Sequence, residues 1–139
     1  MTPDNIISLE EIGVLYEEAS NPKTSSQAFN KLETKLKELL GKDFLKGRKC
    51  YGVCFEDKYF SCISLKEGDK PDEWKINTYT IPKGNYLKKK INDWTKNLDK
   101  IGSTFEAMEK ECSRDRSRPL IEFYRSHIDL ILMMPVKEK

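Results

Sequence analysis

A single carboxylate stands inside a strand-like stretch near the end of the chain. Residues 118–126 read RPLIEFYRS, with Glu122 near the centre. Burying an isolated charge costs free energy, so a glutamate in a half-buried strand needs either a partner or a function. Strand alternation places Leu120, Glu122 and Tyr124 on one face of this segment. Glu122 and Tyr124 are therefore the first candidates for chemistry.

A carboxylate beside aromatic rings is suited to holding an organic cation. The ring faces attract the cation and the carboxylate supplies the counter-charge. Aromatic residues occur in the segments that flank the predicted sheet: Tyr51, Tyr59, Trp74, Tyr79, Tyr86 and Phe105. Two other interpretations stay open, since Glu122 could lie on a solvated face or pair with a lysine across strands. Aromatic residues in strands also more often form core than pocket.

Other catalytic and binding chemistries have little support in the sequence. No glycine-rich phosphate loop and no serine or cysteine hydrolase motif is present, so we assign no catalytic residue. His127 is the only histidine and lies between two predicted strands, which indicates a turn residue. The four cysteines lack the paired spacing of a zinc site. We therefore predict reduced thiols, no metal site and no cofactor.

Length and charge limit the class of protein. The 139 residues are enough for one domain, which we place at 1–139. The 25 basic and 23 acidic residues leave a net charge of +2, which gives no general attraction to nucleic acid or to a membrane surface. The run Lys88–Lys90 is interpreted as a solubilising strand end. Without an apolar run of about 18 residues or a signal peptide, the expected location is the cytoplasm.

The first half of the chain predicts one strand, one helix and a hairpin. Residues 6–16 are interpreted as a strand. A helix is predicted near 25–40 from three- and four-residue apolar steps, with Thr24 and Gln27 as a capping pair and Gly41 at its end. The runs at 50–55 and 59–65 predict a β-hairpin.

The second half repeats this order. Residues 73–91 look extended, with a bend at Pro82 and Gly84, and a helix is predicted near 103–112, with Ser103 and Glu106 as a capping box. Strands near 119–125 and 129–135 form a second hairpin. We therefore predict an α+β fold of two strand–helix–strand–strand pseudo-repeats, about 5–66 and 74–136, in an antiparallel sheet with two helices and a central groove.

Several of these segments together resemble a known family. YTIPKGNY, the helix GSTFEAMEKE, then SRPLIEFYRS and LILMMPV are similar to the second half of the GyrI-like effector-binding domain, and LKGRKCYGVCF is similar to its first hairpin. The resemblance covers about residues 6–136. The nearest branch is the free-standing, integron-cassette type.

The resemblance implies a ligand groove between two pseudo-symmetric units. In the family, a glutamate in the strand that matches LIEFY meets cationic aromatic drugs, and that role transfers to Glu122. The resemblance assigns the wall of the site, with less specificity, to Tyr51, Tyr79, Phe105 and Tyr124, and then to Trp74.

Family members are often fused to a DNA-binding helix-turn-helix region, for which this sequence has no room, so direct DNA binding is not expected. The expected function is binding of small, cationic, aromatic molecules by a stand-alone sensor or sequestering protein, with a separate regulator as a partner. The alternatives are a glutamate-dependent hydrolase of reactive small molecules, and an interaction module that acts on DNA gyrase.

Overall fold

A computed structural model describes residues 5–137 of the chain. Every described strand pairing is antiparallel, and the α+β fold predicted from the sequence is confirmed. The elements in chain order are β1 (Ile6–Leu9), β2 (Ile12–Ala19), α1 (Ser25–Leu40), β3 (Cys50–Cys54), β4 (Tyr59–Ser64), α2 (Pro71–Trp74), β5 (Asn77–Ile81), β6 (Gly84–Asn92), α3 (Lys100–Glu111), β7 (Leu120–Tyr124) and β8 (Asp129–Pro135). No helix within residues 5–137 is both long and apolar enough to cross a lipid bilayer.

The chain divides into two compact units. The N-unit is Ile12–Ile81, and the C-unit comprises residues 5–11 and 82–137. The ends of the predicted domain, residues 1–4 and 138–139, lie outside the described residues.

In the N-unit, four strands have the order β3-β4-β2-β5, and α1 packs on the face of β4 and β2. Ala28, Leu32 and Leu36 recur every four residues, so they form one buried stripe on the helix. The helix ends at Gly41, whose φ of 89° is accessible to glycine at little cost. The buried core beneath α1 consists of Leu15, Leu32, Leu36, Phe44, Ile63 and Ile76.

In the C-unit, four strands have the order β7-β8-β6-β1, and α3 packs on the face of β8 and β6. Phe105 and Met108 are the buried residues of the helix, and they are three positions apart and so lie on one side of it. They pack in a cluster with Leu87, Ile91, Leu130, Leu132, Met134 and Val136. β1 reaches this unit by pairing with β6, with Ile6 opposite Leu87.

The two units share the same local plan. Each runs strand, 3₁₀ turn, helix and hairpin, and each places an arginine two residues before the first hairpin strand, Arg48 before β3 and Arg118 before β7. Equivalent hydrogen bonds follow the second hairpin strand. Leu65 N donates to Gly13 O at 2.9 Å in the N-unit, and Val136 N donates to Asn85 O at 3.1 Å in the C-unit.

The predicted positions of the hairpin strands and of helix α1 are confirmed. The prediction of one strand over residues 6–16 is wrong. β1 ends at Leu9 and β2 begins at Ile12, and the two strands belong to different units. The exposed pair Glu10 and Glu11 separates them. A single apolar pattern spans both strands because each buries part of its surface in its own unit.

A third helix was not predicted. The stretch interpreted as extended from residue 73 begins in α2, where Pro71 occupies the first turn together with Asp72 and Glu73. Proline fits the first turn because its missing N–H has no intrahelical partner there, and acidic side chains favour the same end. Lys75 ends the helix in a left-handed conformation.

Both predicted capping interactions are absent within the described residues. The hydroxyl of Thr24 donates to Asn21 O at 3.1 Å and does not cap α1. α3 begins at Lys100, so Ser103 lies inside the first turn and its hydroxyl donates to Lys100 O at 3.2 Å. Serine and threonine hydroxyls compete for nearby backbone carbonyls, and here that interaction replaces the cap.

A buried ion pair links two loops of the N-unit. Arg48 donates from both Nη atoms to the Asp69 carboxylate at 2.6 Å, and the two side chains are 4% and 5% exposed. Burial alone would raise the pKa of Asp69, but the hydrogen bonds from Arg48 and from Lys66 N and the charge of Arg48 outweigh burial and lower it. The pair joins the loop before β3 to the loop after β4.

We expect Asp69→Asn to lower the free energy of unfolding by about 3–5 kcal/mol at neutral pH, because it leaves the buried Arg48 charge uncompensated. A lowered pKa in the folded state stabilises the protein above the unfolded pKa, near 3.8, and this contribution disappears as the pH falls through the lower folded pKa. The difference between wild type and variant, measured by urea unfolding, should therefore shrink below about pH 4. Glu73→Gln is the control, because its pair with Lys70 is 3.9 Å long and exposed and should contribute less than about 1 kcal/mol. Equal losses in the two variants would contradict the role of the pair.

The four cysteines are free thiols, and Cys62 is buried. Burial, assisted by the charge of Glu33, raises the pKa of Cys50 to about 11, and burial also raises the pKa of Cys62.

The raised pKa values should slow the reaction of these two thiols with alkylating reagents, because the thiolate is the reactive form. At pH 8, Cys50 should hold about a hundredfold less thiolate than a thiol of ordinary pKa. Alkylation followed by peptide mass spectrometry should therefore label Cys50 and Cys62 slowly in the folded protein and all four thiols rapidly in urea. Fast labelling of Cys62 in the folded protein, or fewer than four thiols in urea, would contradict this.

Candidate functional site

Strand β7 brings Glu122 to the face that α3 covers. Glu122 lies opposite Leu132 and Tyr124 lies opposite Leu130, and both leucines belong to the core beneath α3. Residues directly opposite each other in a sheet share a face. Glu122 is only 4% exposed, so its carboxylate is removed from bulk water.

Two aromatic side chains continue from this carboxylate within the C-unit. The Tyr124 hydroxyl donates to Glu122 Oε1 at 2.7 Å. The Tyr124 ring meets the Trp94 ring edge-to-face, with centroids 5.0 Å apart and an interplanar angle of 67°. Trp94 Nε1 in turn donates to Ser126 O at 3.0 Å, which fixes the indole. We call these three residues the Glu122–Tyr124–Trp94 array.

The array adjoins an apolar wall. Leu120, Tyr124 and Trp94 are half-buried, and all three pack against the cluster that contains Phe105 and Met108. Apolar surroundings weaken dielectric screening, so a cation near the Glu122 carboxylate is attracted more strongly than it would be in water. Tyr and Trp faces add a further attraction for organic cations.

The structure brings together only some of the predicted site residues within one unit. Glu122 and Tyr124 are in direct contact, and Phe105 belongs to the cluster against which Tyr124 packs. In the N-unit, Trp74 packs against the core beneath α1. Tyr51 lies opposite Cys62 and Tyr79 opposite Val14, on the sheet face away from α1. The Tyr79 ring meets the rings of Phe55 and Phe60 edge-on, at 5.7 and 5.6 Å.

Sequence reasoning missed Trp94. It starts the 3₁₀ turn that follows β6, directly after Asp93, whose φ of 50° is left-handed. Nothing in the local sequence links this turn to Tyr124, which lies 30 positions further on. The position of Trp94 could have indicated the contact. Trp94 directly follows β6, where the chain turns across the end of the β7–β8 hairpin.

The equivalent positions of the N-unit carry none of this chemistry. Both first hairpin strands have five residues, and the central residue is Gly52 in β3 and Glu122 in β7. The last residue is Cys54 in β3 and Tyr124 in β7. The 3₁₀ turn begins with Pro22 in the N-unit and with Trp94 in the C-unit. The same local plan therefore forms without the array, so the plan alone does not require a buried carboxylate at Glu122.

Comparison with known proteins identifies relatives by fold. No protein-family model and no curated protein matches the chain. Among solved structures, an integron cassette protein from the mobile metagenome of Vibrio cholerae has a TM-score of 0.67 at 14% identity, covering 96% of this chain and 95% of that one. SAV2435 bound to tetraphenylphosphonium has a TM-score of 0.65 at 14% identity, covering 95% and 92%. A hydrolase from Listeria innocua has a TM-score of 0.59 at 13% identity, covering 95% and 90%. At these identities the likeness concerns the fold, which this chain shares with a protein that binds an organic cation.

Proposed function

We propose that the chain is a member of the GyrI-like effector-binding family and binds small, cationic, aromatic molecules at the Glu122–Tyr124–Trp94 array. It acts as a stand-alone sensor or sequestering protein and not by contacting DNA itself. The observation that carries this proposal is the buried Glu122 carboxylate, which accepts a hydrogen bond from Tyr124, whose ring in turn packs against Trp94. The equivalent strand position in the N-unit is glycine.

The physical argument is one of charge compensation. A carboxylate that is 4% exposed has lost most of its hydration, and Glu122 accepts a hydrogen bond from the Tyr124 hydroxyl. An organic cation offers a full opposite charge without strong hydration of its own, since its charge is spread over apolar groups. The tyrosine and tryptophan rings can contact those groups while the carboxylate neutralises the charge. A neutral molecule of the same shape gains only the ring contacts.

The comparison with SAV2435 supports this ligand class. Its ligand, tetraphenylphosphonium, has a permanent positive charge, four phenyl rings and no hydrogen-bond donor. Such a ligand can bind only through rings and charge, which are the two components of the array. The assignment of Tyr51, Tyr79 and Trp74 to the wall of the site stays a prediction, as does a gyrase or regulator partner.

A second candidate function is hydrolysis. The fold likeness to a Listeria innocua hydrolase favours this alternative, in which Glu122 would orient or deprotonate water against an electrophilic substrate. Binding and hydrolysis differ in one measurable outcome, because a bound ligand is recovered unchanged and a substrate is not.

We expect Glu122→Gln to weaken binding of methyltriphenylphosphonium at least tenfold, about 1.4 kcal/mol, and binding of neutral triphenylphosphine oxide less than threefold. The substitution keeps the side-chain volume and removes the charge. Calorimetric titration measures both affinities, and thermal unfolding checks that the variant is folded. Glu106→Gln is the matched control, because it removes an exposed carboxylate from α3 in the same unit and should change neither affinity.

Equal losses for the cation and the neutral ligand would refute the counter-charge role of Glu122. Turnover of an ester or epoxide panel that disappears in Glu122→Gln would favour the hydrolase instead. Unchanged recovery of every compound, with saturable cation binding, supports the binding function.

Fluorescence should locate the ligand, because the chain has two tryptophans in different units. Trp94 contacts Tyr124, whereas Trp74 packs beneath α1. We expect methyltriphenylphosphonium to change the emission of Trp74→Phe much as it changes that of the wild type, and to change the emission of Trp94→Phe little. A signal that follows Trp74 would contradict the placement of the ligand at the array and would favour the wall implied by the family resemblance.

A further inference from the structure

A polar cavity lies within the C-unit and is lined by none of the array residues. It has a volume of about 430 Å³ and is lined by Lys83, Gly84, Asp115, Arg118 and Lys137. Lys83 and Lys137 are exposed, and within residues 5–137 neither lysine side chain forms an ion pair. We call this cavity the Arg118 cleft.

The charge of the cleft is positive. Three cationic side chains and one carboxylate line it, which leaves two positive charges. The carboxylate of Asp115 is held by the hydroxyl of Ser117 at 2.6 Å, by Ser117 N at 3.0 Å and by Arg118 Nε at 3.0 Å. These hydrogen bonds lower the pKa of Asp115 to about 2, and the one from the Ser117 hydroxyl has the largest effect. Asp115 is therefore ionised at neutral pH. Its charge is directed towards Arg118, and the two lysines are left without compensation from it.

Arg118 is held rigidly at the cleft. Its Nη2 donates to Asn85 O at 3.3 Å and to Val136 O at 3.0 Å, and its guanidinium lies over the Tyr86 ring, 4.9 Å from the centroid. Nη1 makes a weaker hydrogen bond, 3.4 Å long, to Lys83 O. The guanidinium packs directly against Gly84, where an added Cβ would collide with Nη1. The position of this charge is therefore fixed in the absence of any ligand.

The N-unit shows what an arginine at this position can hold. Arg48, like Arg118, stands two residues before its hairpin strand, and both of its Nη atoms bind the Asp69 carboxylate. Lys66 and Lys137 also correspond, each standing two residues after the end of its second hairpin strand. In the C-unit, Asp115 reaches Arg118 only through Nε, and open space of about 430 Å³ lies beside the corresponding arginine and lysine.

We propose that the Arg118 cleft binds a phosphate-type oxyanion, as inorganic phosphate or as the phosphate group of a small phosphomonoester. Two uncompensated positive charges match a dianion, and hydrogen bonds between ammonium or guanidinium groups and phosphate oxygens are among the stronger ones in proteins. Lys83 and Lys137 supply mobile donors, while Arg118 supplies a fixed charge. The volume exceeds that of one phosphate group, so the organic part of a monoester can enter with it.

The test measures the affinities of inorganic phosphate and phenyl phosphate by calorimetry and by ³¹P NMR, at constant ionic strength. The wild type should bind at least one of them at a single saturable site, and ¹H–¹⁵N NMR spectra of the protein should show amide shifts at Gly84 and Lys137. Lys83→Ala combined with Lys137→Ala should weaken that affinity at least tenfold. Lys100→Ala combined with Lys110→Ala is the control, because it removes the same charge from exposed positions on α3 of the same unit and should change the affinity less than twofold.

The two probes separate the sources of the ligand. Saturable binding of inorganic phosphate would show that the free anion is sufficient for binding. Saturable binding of phenyl phosphate alone would show that the ligand is a phosphomonoester. No saturable binding of either probe, or equal losses in the two double variants, would overturn the proposal. Since no residue of the array lines the cleft, failure here leaves the cation-binding proposal untouched, and the reverse also holds.

Discussion

The register between β7 and β8 determines the chemistry of the C-unit. With Glu122 opposite Leu132, the carboxylate lies on the face that α3 covers, together with Tyr124. A slip of one residue would turn every side chain of β7 to the other face and put Ile121 and Phe123 in their place. The register is stabilised by burial of Leu130, Leu132 and Met134 beneath α3. The register that buries the apolar core thus also buries Glu122, where the Tyr124 hydroxyl donates a hydrogen bond to it.

The two units share one local plan but differ in the charged residues at equivalent positions. In the N-unit the equivalent strand carries Gly52, and the arginine before it is neutralised by the chain's own Asp69. In the C-unit the strand carries Glu122, and the Arg118 cleft retains uncompensated positive charge. A buried carboxylate and an uncompensated basic cluster both cost stability, and the C-unit carries both costs. In the N-unit, the buried charges of Arg48 and Asp69 compensate each other.

Much of the fold could be predicted from the sequence because local signals agree with tertiary structure. The hairpins follow from β-rich runs separated by short polar turns, and α1 follows from a four-residue apolar step. The break at Glu10 and Glu11 could not be predicted, because β1 and β2 differ in their distant partners and not in their composition. The contact between Glu122 and Tyr124 could be predicted from alternation within one strand, which places both side chains on one face. The contact of Trp94 with Tyr124 could not, since it depends on how a turn crosses the end of a hairpin.

The pairing of β1 with a strand far along the chain affects when β1 can fold during synthesis. The N-unit is complete once Ile81 has emerged from the ribosome, and all its strands pair with one another within a continuous segment. β1 is made before β6 but pairs with it, and the β6 residues follow about 80 positions later. At typical translation rates of about 5–20 residues per second, the first strand waits for several seconds with its backbone groups unpaired. Its short length, four residues, and the acidic residues that follow it limit the risk that this edge recruits another nascent chain.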